Sequence, residues 1–240
     1  MRDLTFLLVH GSWLSAEWWQ PVVDRLCAKG VKAVALTLTG LGHRRQEASA
    51  EIGLAVHTDD VVREIDKLKG HVVLVGHSYG GAPVTEAAHL RPDRVAAVVI
   101  LDGFLTVAGE SLNTTYPQLP EITRAFAMAE APGFLRPPPV GMLGLEGVES
   151  ARALCETLSP MPARANEESA RFDANAVSCA RFYMRFTEFP LYEDTAEVAR
   201  KQGWKVTELQ APHMAVFTHA EEVAGYLSNI AVEISGHRGS

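Results

Sequence analysis

Short apolar runs alternate with amphipathic segments along most of this chain. That order is typical of a mainly parallel sheet with helices on both faces. The apolar runs predict strands over residues 6–9, 31–38, 71–75, 95–101, 179–186 and 205–209. Helical spacing predicts helices over residues 21–29, 58–69, 82–90, 194–202 and 221–234. In the second helix Val61, Val62, Ile65 and Leu68 share one face, which we expect to pack inward. The pattern therefore predicts the α/β class.

The alternation breaks between residues 103 and 178, where prolines are frequent and no strand pattern is visible. Short helical pieces are predicted at residues 121–130 and 149–158. The segment also carries many aromatic and aliphatic side chains, which a disordered loop would lack. We expect one domain over residues 1–240, with a core of residues 1–102 and 179–240 and a small helical cap inserted at about 103–178.

Composition and charge limit the classes of partner that we expect. The formal net charge is −7, whereas a nucleic-acid-binding domain would carry a basic surface. No apolar run approaches the length that crosses a bilayer, and the start of the chain does not resemble a signal peptide. Cys27, Cys155 and Cys179 are scattered without metal-ligand spacing. We expect a cytoplasmic protein with reduced thiols, no metal, and neither a nucleic-acid nor a membrane partner; a homodimer is left open.

Residues 76–81, Gly-His-Ser-Tyr-Gly-Gly, join a predicted strand to a predicted helix. They fit the G-x-S-x-G pattern of a nucleophile elbow, a tight turn that exposes a serine hydroxyl at the edge of a sheet. Gly76 and Gly80 flank the turn, where a Cβ atom would collide with a neighbouring element. The pattern alone is weak, and an ordinary glycine-rich turn is the alternative. The matching strand and helix favour Ser78 as a nucleophile.

A serine nucleophile needs a base that accepts its proton and a third group that orients the base. After a nucleophile elbow, the acid and then the histidine follow in chain order, and the histidine lies beyond the last strand. Of nine histidines, only His213 comes just after the predicted last strand. We expect His213 to be the base, and His77 to pack and hydrogen-bond beneath the turn.

An oxyanion requires two preorganised backbone donors. The first is expected to be the amide of Tyr79, directly after the nucleophile. The second is expected to be the amide of Ser12, in the loop after the first strand. His10 is interpreted as a residue whose ring holds that loop in place.

Several of these segments together resemble one branch of the α/β-hydrolase superfamily, which contains plant methylesterases, hydroxynitrile lyases and bacterial pyrethroid-hydrolase-like esterases. The resemblance rests on residues 6–13 with Trp18 and Trp19, and on residues 37–42, 76–81, 101–104 and 213–215. It implies the α/β-hydrolase fold and a serine-histidine-acid hydrolase that needs no metal or cofactor. It also implies a small cap over an apolar pocket. The adjacent Trp18 and Trp19 are expected to place only one ring in the core.

This chain departs from the branch at two places. The lyase members carry Thr where Gly11 stands and Lys where Met214 stands, and that lysine helps to stabilise cyanide. Its absence favours ester hydrolysis over cyanohydrin cleavage. Many relatives also carry an aspartate in a T-x-D segment after the penultimate strand, where this chain has Phe189.

The missing aspartate leaves the identity of the triad acid open. Asp102 ends a predicted strand at the carboxyl edge of the sheet, where functional groups gather. Glu188 lies one residue from the usual position and has a longer side chain. Asp194 is interpreted as the cap of the next helix. Asp102 is preferred, with Glu188 as the alternative.

The expected pocket is apolar and partly aromatic, and the residues expected to bind substrate are Gly11, Trp13, Phe104, Tyr116, Phe126 and Met214. Tyr79 is also expected to line it. The sequence therefore predicts a carboxylesterase-like serine hydrolase that acts on a small apolar or aromatic molecule. The same machinery is compatible with a thioesterase, lactonase, cyclase or C–C bond hydrolase or lyase, because a fold does not determine a substrate. A ligand-binding protein without catalysis is the alternative of another class.

Overall fold

A parallel sheet of six strands lies at the centre of the computed structural model, which describes residues 3–236. The strands in chain order are β1 (Leu4–Val9), β2 (Lys32–Leu36), β3 (His71–His77), β4 (Val95–Leu101), β5 (Phe134–Leu135), β6 (Met161–Pro162), β7 (Ala180–Phe186) and β8 (Lys205–Leu209). The large sheet has the order β2-β1-β3-β4-β7-β8, and every neighbouring pair in it is parallel. All six predicted strands of the core are present, and the predicted α/β class is confirmed.

Helices cover both faces of this sheet. They are α1 (Gln20–Ala28), α2 (Leu54–Lys67), α3 (Gly81–Leu90), α4 (Leu112–Thr115), α5 (Leu119–Phe126), α6 (Arg152–Cys155), α7 (Arg164–Glu167), α8 (Glu193–Lys201), α9 (Ala215–Thr218) and α10 (Ala220–Gly236). One apolar cluster packs α2, α3 and α8 on one face, and a second packs α1, α9 and α10 on the other. Alternate residues of β1, such as Leu7 and Leu8, enter opposite clusters because strand side chains alternate. None of the helices within residues 3–236 has the length and apolar character that crossing a bilayer requires.

Three local predictions were wrong. Helix α2 begins at Leu54, four residues before the predicted start, because the extended Gly53 precedes it. Helix α8 begins at Glu193 directly after a 3-10 turn, so Asp194 lies within its first turn and makes no capping bond. Trp18 and Trp19 are both buried, because their short 3-10 helix is covered on two sides: one ring contacts Phe217 and the other contacts His77.

The segment predicted as a cap, residues 103–178, contains α4–α7 together with a small sheet. The absence of strands in this segment was a wrong expectation, because β5 and β6 form a short antiparallel pair. The predicted helices at 121–130 and 149–158 are shorter in the structure, at Leu119–Phe126 and Arg152–Cys155. Two-residue strands give too little alternation to be recognised in sequence.

A buried carboxylate ties the end of this segment to α3, the helix that follows the Ser78 turn. Glu86 accepts the backbone N–H groups of Arg171 and Phe172, each at 2.8 Å, and the Arg171 guanidinium at 2.9 Å. Its side chain is 1% exposed. After this segment the chain returns to the large sheet, where β7 pairs with β4.

We predict that Glu86→Gln lowers the free energy of unfolding by about 2–3 kcal/mol, because a neutral amide has one acceptor oxygen for the three donors that meet the buried Glu86 carboxylate. Urea denaturation followed by circular dichroism measures the change. The matched control is Glu149→Gln, which removes the charge from an exposed ion pair with Arg152 and should leave stability almost unchanged. Equal stability of both variants and the parent would contradict a role for Glu86 in holding the end of this segment against α3.

Candidate active site

Ser78 lies on a strained turn between β3 and α3. Its φ angle is +54°, a left-handed conformation that costs a non-glycine residue energy and is common at functional sites. A Cβ atom at Gly76 would lie 2.4 Å from the Gly80 carbonyl oxygen, and one at Gly80 would lie 2.5 Å from the Val9 oxygen. Only glycine fits at these two positions. Their small size lets β3 and α3 approach each other closely at the turn that carries Ser78.

His213 and Asp102 form a direct pair. Asp102 follows the last residue of β4, has a φ of +44°, and is fully buried. Its Oδ2 lies 2.6 Å from His213 Nδ1, and its Oδ1 accepts the Phe186 N–H at 3.1 Å. Glu188, the alternative acid, is exposed and makes no hydrogen bond to His213 within the described residues.

The aromatic residue in place of the relatives' aspartate contacts the same histidine. The Phe189 ring stacks on the His213 imidazole with centroids 4.3 Å apart. The His77 ring lies 4.6 Å from that imidazole, and its Nε2–H donates to the His213 carbonyl oxygen at 2.9 Å. His213 is therefore oriented by its ring faces, its backbone and its Nδ1 atom together.

Burial alters the proton affinity of this pair. Loss of hydration raises the pKa of the Asp102 carboxyl above its usual value, although the Phe186 amide and the Arg185 charge oppose the rise. The same cause lowers the pKa of the His213 imidazole. The pair thus holds one proton along the Nδ1–Oδ2 contact, and His213 Nε2 is left able to accept another.

The loop after β1 packs against the Ser78 turn from the other side. A Cβ atom at Gly11 would lie 2.8 Å from Ser78 Cβ, so the backbone of this loop passes directly beside the serine. His10 holds the loop: Nδ1 donates to the Gly11 carbonyl at 2.8 Å, and Nε2 accepts the Leu38 N–H at 3.1 Å. The Ser12 amide belongs to this loop, while the amide of Tyr79 directly follows Ser78.

The Tyr79 side chain does not line the cavity, contrary to the sequence-based expectation. It is fully buried behind the turn, where its hydroxyl donates to His57 Nδ1 at 2.8 Å. His57 Nε2–H in turn donates to the Thr39 carbonyl at 3.1 Å. This chain of hydrogen bonds anchors the side chain of the residue that directly follows Ser78.

A largely apolar cavity of about 130 Å³ opens at Ser78 and His213. Five of the six residues predicted to bind substrate line it, and these are Gly11, Trp13, Phe104, Phe126 and Met214. Tyr116 does not line it, because its ring packs behind Phe104 at 4.7 Å and its hydroxyl bonds to the backbone of Leu105. Further wall residues come from the segment 103–178 and from the β7–α8 loop, and they include Leu119, Ile122, Leu135, Asn166 and Leu191.

The sequence analysis missed Tyr192, the residue whose side chain forms a hydrogen bond with Ser78. Ser78 Oγ lies 3.2 Å from Tyr192 Oη, whereas no hydrogen bond joins Ser78 to His213 within residues 3–236. No motif surrounds Tyr192, and nothing in its spacing distinguishes it from a core aromatic residue.

Within residues 3–236, no three His, Cys, Asp or Glu side chains are grouped as a metal site would require.

A model of the alpha/beta hydrolase family matches residues 6–226 of this chain. The chain belongs to the alpha/beta hydrolase family. A carbendazim hydrolyzing esterase of Nocardioides sp. (strain SG-4G) is 32% identical over 124 residues, which are 50% of this chain and 51% of that protein. The matched region thus spans about half the length of that esterase.

Two further comparisons extend over nearly the whole chain. Pheophorbidase of Raphanus sativus is 25% identical over 242 residues, with 92% of each chain covered. The solved structure of an extracellular alpha/beta-hydrolase from a Paenibacillus species superposes with a TM-score of 0.80 at 22% identity, covering 94% of this chain and 98% of that one. The predicted resemblance to this branch of the superfamily is confirmed, and its sequence relatives include the carbendazim hydrolyzing esterase and plant methylesterases.

We predict that the 2.6 Å contact between His213 and Asp102 gives a strongly downfield proton NMR resonance, as expected for a short charge-assisted hydrogen bond. Asp102→Ala should remove the resonance, and Glu188→Ala should leave it in place. One-dimensional spectra of the three proteins in water measure it. A resonance that survives Asp102→Ala, or disappears with Glu188→Ala, would reassign the partner of His213.

Proposed function

We propose that this alpha/beta hydrolase is a serine-dependent carboxylesterase that cleaves esters of small apolar or aromatic molecules through an acyl-enzyme. The observation that carries the proposal is the 2.6 Å contact between His213 and Asp102, with His213 lining the same cavity as Ser78. The strained turn at Ser78 and the esterase-type relatives support it.

In the proposed acylation, Ser78 Oγ turns towards His213 Nε2 and gives up its proton as it attacks the substrate carbonyl carbon. The amides of Ser12 and Tyr79 donate to the carbonyl oxygen, which becomes negative in the tetrahedral intermediate. His213 then passes the proton to the departing alcohol, and an acyl group remains on Ser78.

In the proposed deacylation, water replaces the alcohol beside His213. The imidazole accepts a proton from the water while the hydroxide attacks the acyl carbon, and the proton then returns to Ser78. Asp102 stabilises the imidazolium formed in each half-reaction, and its buried contact keeps the imidazole in the orientation that both steps need.

The walls of the cavity favour an apolar or aromatic substrate. Trp13 and Phe126 pack edge to face at 6.1 Å, and Trp13 is held by a bond from Nε1–H to the Leu135 carbonyl. Met214 lines the wall where the lyase members of the branch are expected to carry lysine. No cation is thereby supplied at this position to stabilise departing cyanide, which favours the hydrolysis of esters.

We predict that Ser78→Ala abolishes the hydrolysis of p-nitrophenyl butanoate and prevents labelling by a fluorophosphonate, because both reactions need the Ser78 oxygen. Release of p-nitrophenol and in-gel fluorescence measure the two. Ser235→Ala, on the exposed end of α10, is the matched control and should behave as the parent does. Turnover that survives Ser78→Ala would contradict the proposed nucleophile, and an unlabelled parent protein would favour a ligand-binding role.

We predict that Asp102→Asn lowers kcat for the same ester by about 10⁴-fold, because the amide cannot stabilise the imidazolium or hold the correct tautomer. Glu188→Gln, which makes the same chemical change at the exposed alternative position, should retain the parent kcat. Steady-state kinetics measure both variants. A large loss with Glu188→Gln and none with Asp102→Asn would reverse the assignment of the acid.

A further inference from the structure

Tyr192 makes the one side-chain hydrogen bond of Ser78 in the described residues, and that bond has a consequence for the reaction. The two hydroxyl oxygens lie 3.2 Å apart, and Tyr192 Oη has no other partner within residues 3–236. For acylation, Ser78 Oγ has to turn to His213 and then bond to the substrate carbon. Tyr192 Oη then loses its partner inside an apolar cavity, which costs free energy unless another group takes the bond.

The ring that carries this hydroxyl is held firmly. Tyr192 is 1% exposed and packs edge to face against Phe104 at 5.0 Å. The rings of Phe189 and His213 lie 5.9 and 5.7 Å from it. A phenol confined in this way keeps its hydroxyl beside Ser78 when Ser78 moves, so we expect its new partner to be an atom of the substrate that fills this cavity.

The strand order indicates which atom that is. The loop bearing Gly11 and Ser12 follows β1, on one side of β3, while Tyr192 follows β7 and His213 follows β8, both on the other side. The carbonyl oxygen of a bound ester is directed to the Ser12 and Tyr79 amides. The other ester oxygen, which leaves with the alcohol, must lie near His213 to receive its proton, and this is the side from which Tyr192 approaches.

We propose that Tyr192 is a catalytic residue that donates a hydrogen bond to the leaving oxygen of the ester, and that the site is adapted to esters of aliphatic alcohols. The inference rests on the proposed esterase function. The proton balance is that of the proposed acylation: Ser78 gives its proton to His213, the bond between carbon and the leaving oxygen breaks, and His213 protonates that oxygen. Tyr192 keeps its own proton throughout and stabilises the charge that develops as the bond breaks.

Two physical points support this role. Burial raises the pKa of the Tyr192 phenol well above its usual value, so the hydroxyl stays protonated and remains a donor. A donor to a leaving oxygen helps most when that oxygen becomes strongly basic, as in an alkoxide, and little when it is a stable nitrophenolate. The expected preference for aliphatic alcohols follows from this difference.

The test compares the parent and Tyr192→Phe on a series of butanoate esters with p-nitrophenyl, phenyl, trifluoroethyl and ethyl leaving groups. We expect kcat/KM of the variant to fall by about 10- to 100-fold for the ethyl ester and by less than about 2-fold for the p-nitrophenyl ester, as for loss of a hydrogen bond to a charged group. The slope of log kcat/KM against the leaving-group pKa therefore becomes steeper in the variant. Tyr226→Phe, which removes a phenol hydroxyl on α10 outside the cavity lining, should keep the parent slope.

The slope is an internal comparison between substrates of one preparation. A partly unfolded variant lowers every rate alike and leaves the slope unchanged, so a uniform loss, or no loss, overturns the role of Tyr192. The p-nitrophenyl ester separates this failure from that of the proposed function. If the parent hydrolyses it in a Ser78-dependent manner while the slope stays the same, only the inference fails; if the parent hydrolyses no ester of the series, both fail.

Discussion

The candidate site depends on the close approach of several backbone segments around Ser78. The chain passes from β3 into α3 so tightly that a Cβ atom at Gly76, Gly80 or Gly103 would lie within 2.6 Å of another backbone atom. Gly11 closes the same space from the β1 loop. This crowding excludes side chains at the glycine positions, while the Ser78 side chain lines the cavity.

The same crowding explains where backbone strain is found. Among residues 3–236, the non-glycine residues with positive φ are Trp13, Ser78 and Asp102. Each follows a strand of the large sheet within a few residues, and the three strands β1, β3 and β4 are direct neighbours. Strain of this kind persists only where the surroundings impose it, and here the buried parallel strands impose it at one edge of the sheet.

The position of the carboxylate changes the chemistry of the neighbouring loop. Because Asp102 reaches His213 Nδ1 from the end of β4, the loop after β7 is not needed to supply an acid. That loop instead presents Phe189 to the imidazole face and Tyr192 to the Ser78 hydroxyl. Because the acid comes from the end of β4, the loop after β7 can place aromatic side chains and a phenol hydroxyl in the cavity wall. The proposed role of Tyr192 depends on this arrangement.

The sequence by itself determined the features that local patterns encode. Alternation of apolar runs and helical segments predicted the strands of the core, and the glycines around Ser78 predicted the tight turn. The place of His213 beyond the last strand also followed from chain order. The sequence did not decide between Asp102 and Glu188, place Tyr116 behind Phe104, or identify Tyr192. These features depend on contacts between residues far apart in the chain. Asp102 meets His213 across 111 positions and Ser78 meets Tyr192 across 114. Local periodicity carries no information on such distances, which are set only when the strands pair and the layers pack.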